Sequence, residues 1–264
     1  MKDITRNLVG FIRLKVCIFI STIGIIGFLL FNNIGVKLLF VFLASFLISA
    51  GSYSLNNITD TKEDVINRKK INPFVLGKRG LILVSLFFLS GLFFSIFLSF
   101  YSIVFSLIGI LTSIHYSYFK LKKYFLVKNL YTGFGISIVF LVGTSKIGLD
   151  VLYYYFLILF FIVIMSMISD LRDYVGDKAI GFKTLPVFLG YGRALKIVSA
   201  LISIFSSSLL LFSRIIILLP FSLAIIYSLY KNKPLVSHTL GLYSFIFLMF
   251  WLVLGSVFNV YGYV

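Results

Sequence analysis

Four aspartates in two pairs are the residues of this chain whose types and spacing could do chemistry. Asp60 and Asp64 are four residues apart, and so are Asp173 and Asp177. Residues i and i+4 lie on one face of an α-helix, where two carboxylates repel each other unless a cation lies between them. Oxygen ligands suit a hard ion, and Mg²⁺ takes one or two protein carboxylates together with water and phosphate oxygens. Two such stripes facing each other predict Mg²⁺ ions that bridge to a diphosphate.

Polar neighbours extend both pairs. Asn56 lies one helical turn before Asp60, and Asp170 lies one turn before Asp173, so both belong to the polar stripes. Basic side chains near the motifs can hold phosphate oxygens that are not bound to metal. They are Arg68, Lys69, Lys70, Arg172, Lys178 and Lys183. This chemistry indicates a substrate that carries its diphosphate on a lipid chain, whose apolar tail lies among the helices.

Composition identifies the chain as an integral membrane protein. Of its 264 residues, 60% are hydrophobic and 12% are charged, whereas soluble domains have roughly 45–50% and 25%. Continuous apolar runs predict nine transmembrane helices in an all-α fold and leave no length for a second domain, so 1–264 is predicted as one domain. The runs are about 16–31, 38–55, 81–98, 101–118, 130–145, 151–169, 197–213, 215–230 and 239–258.

The distribution of charge predicts the orientation in the membrane. With these spans, 21 of the 24 Lys and Arg residues lie on the side that also holds the N-terminus and both motifs. Cytoplasmic loops are enriched in Lys and Arg, so this side is predicted to be cytoplasmic and the C-terminus to lie outside. The same pattern explains the net charge of +16 without a nucleic-acid partner, because the basic residues occupy short loops.

Together the two motifs resemble those of the UbiA superfamily of intramembrane prenyltransferases. The first motif of that family, Asn-x-x-x-Asp-x-x-x-Asp, corresponds to residues 56–64. Its second motif, Asp-x-x-x-Asp followed by a Gly and a Lys, corresponds to 173–177 with Gly181 and Lys183. The resemblance covers essentially the whole chain. It implies a UbiA-type helical bundle with a central cavity that opens toward the cytoplasmic side.

Two further segments compare with the family less closely. Members often carry Tyr-Ser, prolines and then a Lys after the fourth helix, and this chain has Tyr116-Ser117 followed by Lys123 without a proline. Many members that make archaeal ether lipids carry an Arg-Pro pair after the first motif, and this chain has Asn72-Pro73. The resemblance thus adds Tyr116 and Lys123 to the candidate residues, and it leaves the acceptor open.

The resemblance implies Mg²⁺-dependent transfer of a prenyl group from a polyprenyl diphosphate to an acceptor through an allylic carbocation. The implied metal ligands are Asn56, Asp60, Asp64, Asp173 and Asp177. The implied diphosphate ligands are Asn56, Arg68, Lys69, Lys123, Arg172, Lys178 and Lys183. Tyr116 is expected to stabilise the carbocation with its ring, and Asp170 or a motif carboxylate is the candidate base. The acceptor is an aromatic acid, a quinone precursor, a prenylated glycerol phosphate, haem or another lipid.

Other classes of protein compete with this interpretation. An ion-coupled transporter or a channel would use the paired aspartates as a cation site, but transporters bind ions near the bilayer midplane, and these aspartates are predicted at cytoplasmic helix ends. A phosphoalcohol transferase would carry a contiguous Asp-Gly-x-x-Ala-Arg pattern, which this sequence lacks. A scaffold protein would leave the duplicated motif unexplained.

Overall fold

Helices make up all the regular structure in the described part of the chain. The computed structural model describes residues 2–61, 71–121, 126–212 and 215–257. Within these ranges there are eleven α-helices, a short 3₁₀ turn at Pro73–Val75 and no strand. The helices are α1 (Lys2–Ile12), α2 (Leu14–Phe31), α3 (Lys37–Thr59), α4 (Lys78–Ile96), α5 (Phe100–Tyr118), α6 (Val127–Thr144), α7 (Leu149–Ile180), α8 (Leu185–Leu189), α9 (Tyr191–Leu209), α10 (Leu218–Tyr230) and α11 (Pro234–Val257).

Eight helices of the described chain are long and apolar enough to cross a membrane. They are α2 to α7, α9 and α11, and each corresponds to one of the predicted spans. The remaining predicted span, 215–230, forms α10, which has 13 residues and a length of about 20 Å, less than the roughly 30 Å hydrocarbon core. The prediction of a multi-pass, all-helical membrane protein is confirmed, and the count of nine spans stays a prediction.

Several helices begin earlier than the apolar runs predict. The run at 197–213 corresponds to α9, which begins at Tyr191, and the run at 239–258 corresponds to α11, which begins at Pro234. The extra residues include the charged Arg193 and Lys196. Hydropathy locates the membrane-embedded part of a helix, whereas the backbone hydrogen bonds that define the helix continue into the polar flanks.

Contacts divide the chain into two compact units. The first unit comprises Met1–Lys120 and Ile138–Ile147, and the second comprises Leu121–Ser137 and Gly148–Val264. Helix α6 therefore belongs to both, with its N-terminal part in the second unit and its C-terminal part in the first. The first motif lies in the first unit and the second motif in the second. Organisation of 1–264 as one domain stays a prediction.

In the first unit, α3 is the central helix and packs against α2, α4 and α5. Its core contains Ile48 of α3, Val84 and Phe88 of α4, and Ile110 of α5, all buried. Glycine allows α2 and α6 to approach closely, because a Cβ atom on Gly143 would overlap the backbone carbonyl of Gly24. This packing fixes the direction in which α3 carries the first motif.

The amphipathic helix α1 precedes the first span and was not predicted from the sequence. Asn57 Nδ2 donates a hydrogen bond to Phe11 O over 2.7 Å, and Asn72 Nδ2 donates to Asn7 O over 2.7 Å. The ring of Phe11 also stacks on Phe74, with centroids 5.6 Å apart. Helix α1 is thus attached to the first motif at Asn57 and to the segment that follows the motif at Asn72 and Phe74.

In the second unit, α7 packs against α9 and α11. The ring of Phe161 on α7 lies 4.7 Å from that of Phe205 on α9 and 5.3 Å from that of Phe245 on α11. Helix α7 has 32 residues and is about 48 Å long, longer than the roughly 30 Å hydrocarbon core. A helix of this length extends beyond the hydrocarbon core, and the second motif lies on its C-terminal turns.

Candidate active site

The first motif lies where α3 ends. Helix α3 ends at Thr59, and the amide of Asp60 still donates to Asn56 O over 2.9 Å. Asn56 Nδ2 donates to Asp60 Oδ2 over 3.0 Å, and both side chains are half-buried. The amide of Asn56 therefore holds one oxygen of the Asp60 carboxylate in place. Other candidates of this region lie outside the described residues: Asp64, Arg68, Lys69 and Lys70.

An arginine and two tyrosines lie near the first motif within the same unit. Arg13 joins α1 to α2 with a left-handed backbone, at φ 53°, and its Nη2 donates to Asn57 Oδ1 over 3.0 Å. Its guanidinium carbon lies 5.5 Å from the centre of the Tyr53 ring. Tyr53 is within electrostatic range of Tyr116, the predicted carbocation-stabilising residue, which is half-buried at the end of α5. Sequence reasoning missed Arg13, which is 44 residues from its partner.

Arg172 and Asp173 of the second motif bind each other. Arg172 Nε donates to Asp173 Oδ1 over 2.8 Å, and Nη2 donates to Oδ2 over 2.7 Å. The side chains are 32% and 50% exposed, so water screens this pair and it stabilises the fold little. Arg172, a predicted phosphate ligand, thus binds Asp173, a predicted metal ligand, and occupies both oxygens of its carboxylate.

Asp177 presents a different environment one turn further along α7. A left-handed Gly181, at φ 81°, ends the helix, and the amide of Phe182 donates back to Asp177 O over 2.9 Å. This turn brings Thr184 within interaction range of the Asp177 carboxylate. Among the described residues, neither the buried Asp177 Oδ2 nor the Thr184 hydroxyl has a hydrogen-bond partner of normal geometry.

Asp170 is the most enclosed acid of the second motif, with 1% of its surface exposed. Lys128 Nζ donates to Asp170 Oδ1 over 2.5 Å, and Asn129 Nδ2 donates to Asp170 Oδ2 over 3.0 Å. Asn129 Oδ1 in turn accepts from Ser166 Oγ over 2.6 Å. Both carboxylate oxygens of Asp170 are therefore engaged. Sequence reasoning missed Lys128 and Asn129, because 41 or 42 residues separate them from Asp170.

The two lysines predicted beside the second motif are both exposed. Lys178 Nζ lies 5.9 Å from the centre of the Tyr174 ring, which contacts the ring of Tyr191 at 5.4 Å. Tyr191 donates its hydroxyl to Asn232 Oδ1 over 2.5 Å. Lys183 follows the turn at Gly181. Lys123, the lysine expected after Tyr116, lies outside the described residues.

Comparison with known proteins identifies the family. The model of the UbiA prenyltransferase family matches residues 17–233, which contain both motifs. The chain belongs to the UbiA prenyltransferase family. The family membership that the two motifs predicted is confirmed, and with it the enzyme class of UbiA-type prenyltransferases.

Individual relatives agree with this assignment. The chain is 31% identical over 188 residues to digeranylgeranylglyceryl phosphate synthase of Methanocaldococcus jannaschii, in a match that covers 68% of this chain and 66% of that protein. A solved structure from work on digeranylgeranylglyceryl phosphate synthase in membranes has a TM-score of 0.74 at 23% identity, and covers 97% of this chain and 99% of its own. A UbiA homologue from Archaeoglobus fulgidus, bound to GPP and Mg²⁺, has a TM-score of 0.71 at 16% identity, covering 94% and 98%. The two structures share the fold of this chain.

The chemistry of the donor set fits Mg²⁺. Each motif carries carboxylate oxygens, the type of ligand that this ion prefers, and Asp177 Oδ2 is a buried carboxylate oxygen without a hydrogen-bond partner among the described residues. A buried oxygen without a partner is costly unless a cation or a donor binds it. Within the described residues no three His, Cys, Asp or Glu side chains form one cluster.

Proposed function

We propose that this protein transfers a prenyl group from a prenyl diphosphate to a lipid acceptor in a reaction that depends on Mg²⁺. The family match over residues 17–233, with both acidic motifs inside it, is the observation that carries the proposal. The Archaeoglobus fulgidus structures add support, since one contains GPP and Mg²⁺ and another contains DMAPP and Mg²⁺. The membrane-spanning helices suit a donor whose prenyl tail is apolar.

The polar side chains of the two motifs would share the work of holding the donor. The metal ligands are Asn56, Asp60, Asp64, Asp173 and Asp177. The side chains for the diphosphate oxygens are Asn56, Arg68, Lys69, Lys123, Arg172, Lys178 and Lys183. Guanidinium and ammonium groups donate to phosphate oxygens that are not bound to metal, so they hold the donor in one orientation.

Charge separation is the difficult step of this reaction. The bond between the allylic carbon and the diphosphate oxygen breaks, and both electrons leave with the diphosphate. Bound Mg²⁺ would supply charge to stabilise that leaving group. The acceptor nucleophile then bonds to the allylic cation and would lose its proton to a motif carboxylate that is not bound to metal. The ring of Tyr116 would stabilise the cation, and the surrounding helices would exclude the water that would otherwise consume it.

Arg172 would change partners when the donor binds. In this structure it holds both oxygens of Asp173, and an exposed ion pair of this kind contributes only about 0–1 kcal/mol. Its release is therefore inexpensive. Asp173 would then bind metal while the guanidinium turns to a phosphate oxygen, so one movement exchanges both ligands.

The acceptor we favour is a prenylated glycerol phosphate. This choice is supported by the name of the Methanocaldococcus jannaschii relative. An aromatic acceptor without a phosphate is the second candidate, and Asn72 is the observation that favours it. At the position of the Arg-Pro pair, Asn72 uses its side chain to bind Asn7 O and the amide of Phe74, so this position supplies no cation for an acceptor phosphate.

The proposed orientation places the N-terminus and both motifs in the cytoplasm and the C-terminus outside. It rests on the excess of Lys and Arg in the loops of that side. The donor headgroup would then be bound at the cytoplasmic surface, while its tail extends among the helices.

Diphosphate release from geranylgeranyl diphosphate by purified protein in detergent tests the function. We expect release with Mg²⁺, none with EDTA, and a rate that rises with geranylgeranylglyceryl phosphate. A rise with 4-hydroxybenzoate instead would select the second acceptor. Folded protein that releases no diphosphate with any acceptor and several donor lengths would contradict the proposal and favour an ion-coupled transporter.

A further inference from the structure

Lys128 has the position of a substrate ligand, although neither motif includes it. It lies in the first turn of α6, and its side chain is 28% exposed. One N–H of its ammonium group binds the buried Asp170. An ammonium has three such donors, so further donors remain for a ligand on the exposed side.

Helical geometry directs this ammonium toward the second motif. Asp170 and Asp177 are seven residues apart, so they lie two turns apart on nearly the same face of α7. Asp173 lies between them along the helix. Lys128, held by Asp170, is within electrostatic range of both Asp173 and Asp177. Its charge therefore acts on the two carboxylates proposed as metal ligands.

The support behind Lys128 is fully enclosed. Asp170 and Asn129 are each 1% exposed, and Asn129 is fixed in turn by Ser166. A lysine side chain has several rotatable bonds, and an ion pair with a rigid carboxylate reduces that freedom before any ligand arrives. Preorganised charge of this kind binds an anion more tightly than a mobile lysine does.

We propose that Lys128 is a diphosphate ligand at the second motif and that Asp170 is the residue that positions it. This inference rests on the proposed function, because it takes the donor diphosphate as the anion. A diphosphate held through metal at Asp173 and Asp177 would lie within the electrostatic range of the Lys128 ammonium, which already acts on both carboxylates. Asp170 then serves as a fixed counter-charge, because both of its oxygens already accept hydrogen bonds from α6.

A double-variant experiment separates a ligand from a purely structural ion pair. Removal of one member of a buried pair leaves an uncompensated charge, whereas removal of both does not. We therefore compare wild type, Lys128→Gln, Asp170→Asn and the double variant K128Q/D170N by thermal unfolding in detergent. Binding of inorganic pyrophosphate with Mg²⁺ is measured by calorimetry on the same samples. Lys196→Gln, which changes an exposed lysine of α9, is the matched control.

We expect the double variant to regain the unfolding temperature that the single variants lose, yet to bind Mg²⁺-pyrophosphate about 10- to 100-fold more weakly than wild type, the usual effect of one charge-assisted hydrogen bond. The control should bind like wild type. A double variant that binds Mg²⁺-pyrophosphate as tightly as wild type would overturn the role of Lys128 and leave the proposed function intact. Wild type that binds no Mg²⁺-pyrophosphate would overturn the proposed function as well.

Lysine acetylation of the wild-type protein gives a second test that needs no variant. Lys128 should be labelled more slowly when Mg²⁺ and pyrophosphate are present, while labelling of Lys196 stays the same. Equal labelling of Lys128 with and without pyrophosphate, in protein that binds pyrophosphate by calorimetry, would contradict the assignment.

Discussion

The two acidic motifs share a four-residue spacing but differ in the backbone that carries them. Asp60 follows the last turn of α3 and accepts a hydrogen bond from Asn56 of its own helix. Asp173 and Asp177 lie on the C-terminal turns of the 32-residue α7. There, side chains from α6 contact the helix at the buried Asp170. Similar ligand chemistry can thus be supported from within one helix or by a neighbouring one.

This difference separates the effects expected on activity from those expected on stability. Residues that present carboxylates should affect activity in both motifs. Residues that support the carboxylates should affect stability mainly in the second motif, because its support is buried. Matched substitutions in the two motifs measure this contrast.

Loss of one carboxylate from either motif should have the largest effect. Asp60→Asn and Asp173→Asn should each lower kcat/KM by about 10²–10³-fold, because each removes a carboxylate that would hold the Mg²⁺ whose charge stabilises the departing diphosphate. Rates of diphosphate release at limiting donor measure this. Asp150→Asn, which changes an exposed acid in the first turn of α7, should leave kcat/KM unchanged. Full activity of either motif variant would remove that motif from the site.

Asp170→Ala should be the most destabilising of these substitutions. It leaves the buried Asn129 amide and the partly exposed Lys128 ammonium without their partner, which costs about 3 kcal/mol of unfolding free energy. Asp60→Ala, at a half-buried helix end, removes the hydrogen bond from Asn56 and should cost about 1 kcal/mol. Chemical unfolding in detergent compares the two variants. Equal losses of unfolding free energy in the two variants would mean that Asp170 and Asp60 contribute equally to stability, contrary to the contrast between the motifs.

Adjacent asparagines of the first motif should separate support of the site from support of the fold. Asn56→Ala removes the hydrogen bond to Asp60 and should lower kcat/KM about tenfold, the effect of a hydrogen bond to a charged group. Asn57→Ala removes the bonds to Phe11 and Arg13 and should instead lower the unfolding free energy by about 1–2 kcal/mol. Activity and unfolding measured on both variants decide this. If Asn56→Ala lowered stability and Asn57→Ala lowered activity, the roles of the two asparagines would be the opposite of those proposed.

Arg172→Gln should have the smallest effect, and it should strengthen Mg²⁺ binding where the other substitutions weaken function or stability. The arginine competes with metal for Asp173, and an exposed ion pair stabilises by about 0.2–1 kcal/mol, so the variant should bind Mg²⁺ about two- to fivefold more tightly. Its KM for the donor should rise, because a phosphate ligand is lost. Mg²⁺ titrations of activity at saturating donor measure this, with Arg193→Gln on α9 as control. Weaker Mg²⁺ binding in Arg172→Gln would contradict the exchange of partners.

Much of the fold follows from local pattern. Eight of the predicted spans correspond to helices of spanning length because an apolar run of about 20 residues has few other ways to bury its backbone polar groups in a membrane. The amphipathic α1 and the polar first turns of α9 were missed, because hydropathy does not register helices outside the hydrocarbon. The 13-residue α10 shows the opposite limit, since its sequence is apolar and yet the helix is short.

The candidate site divides in a similar way. Asn56 and Asp60, one turn apart, lie on one face as their spacing predicts. By contrast, the partners of Asp170 come from another helix, and Arg13 reaches the first motif from the N-terminal segment. No spacing rule connects residues that are 41 to 44 positions apart, because their contact depends on how helices pack.

The sequence by itself determined the family, the membrane class and the acidic motifs, since these depend on composition and on spacing within one helix. Only the tertiary structure decided what each polar group contacts. In the structure, Lys128 and Asn129 bind Asp170, and Arg172 binds Asp173. Asp177 Oδ2 has no hydrogen-bond partner in the described chain. The physical reason is that charge and hydrogen bonding act over a few ångströms of space, whatever the distance along the chain.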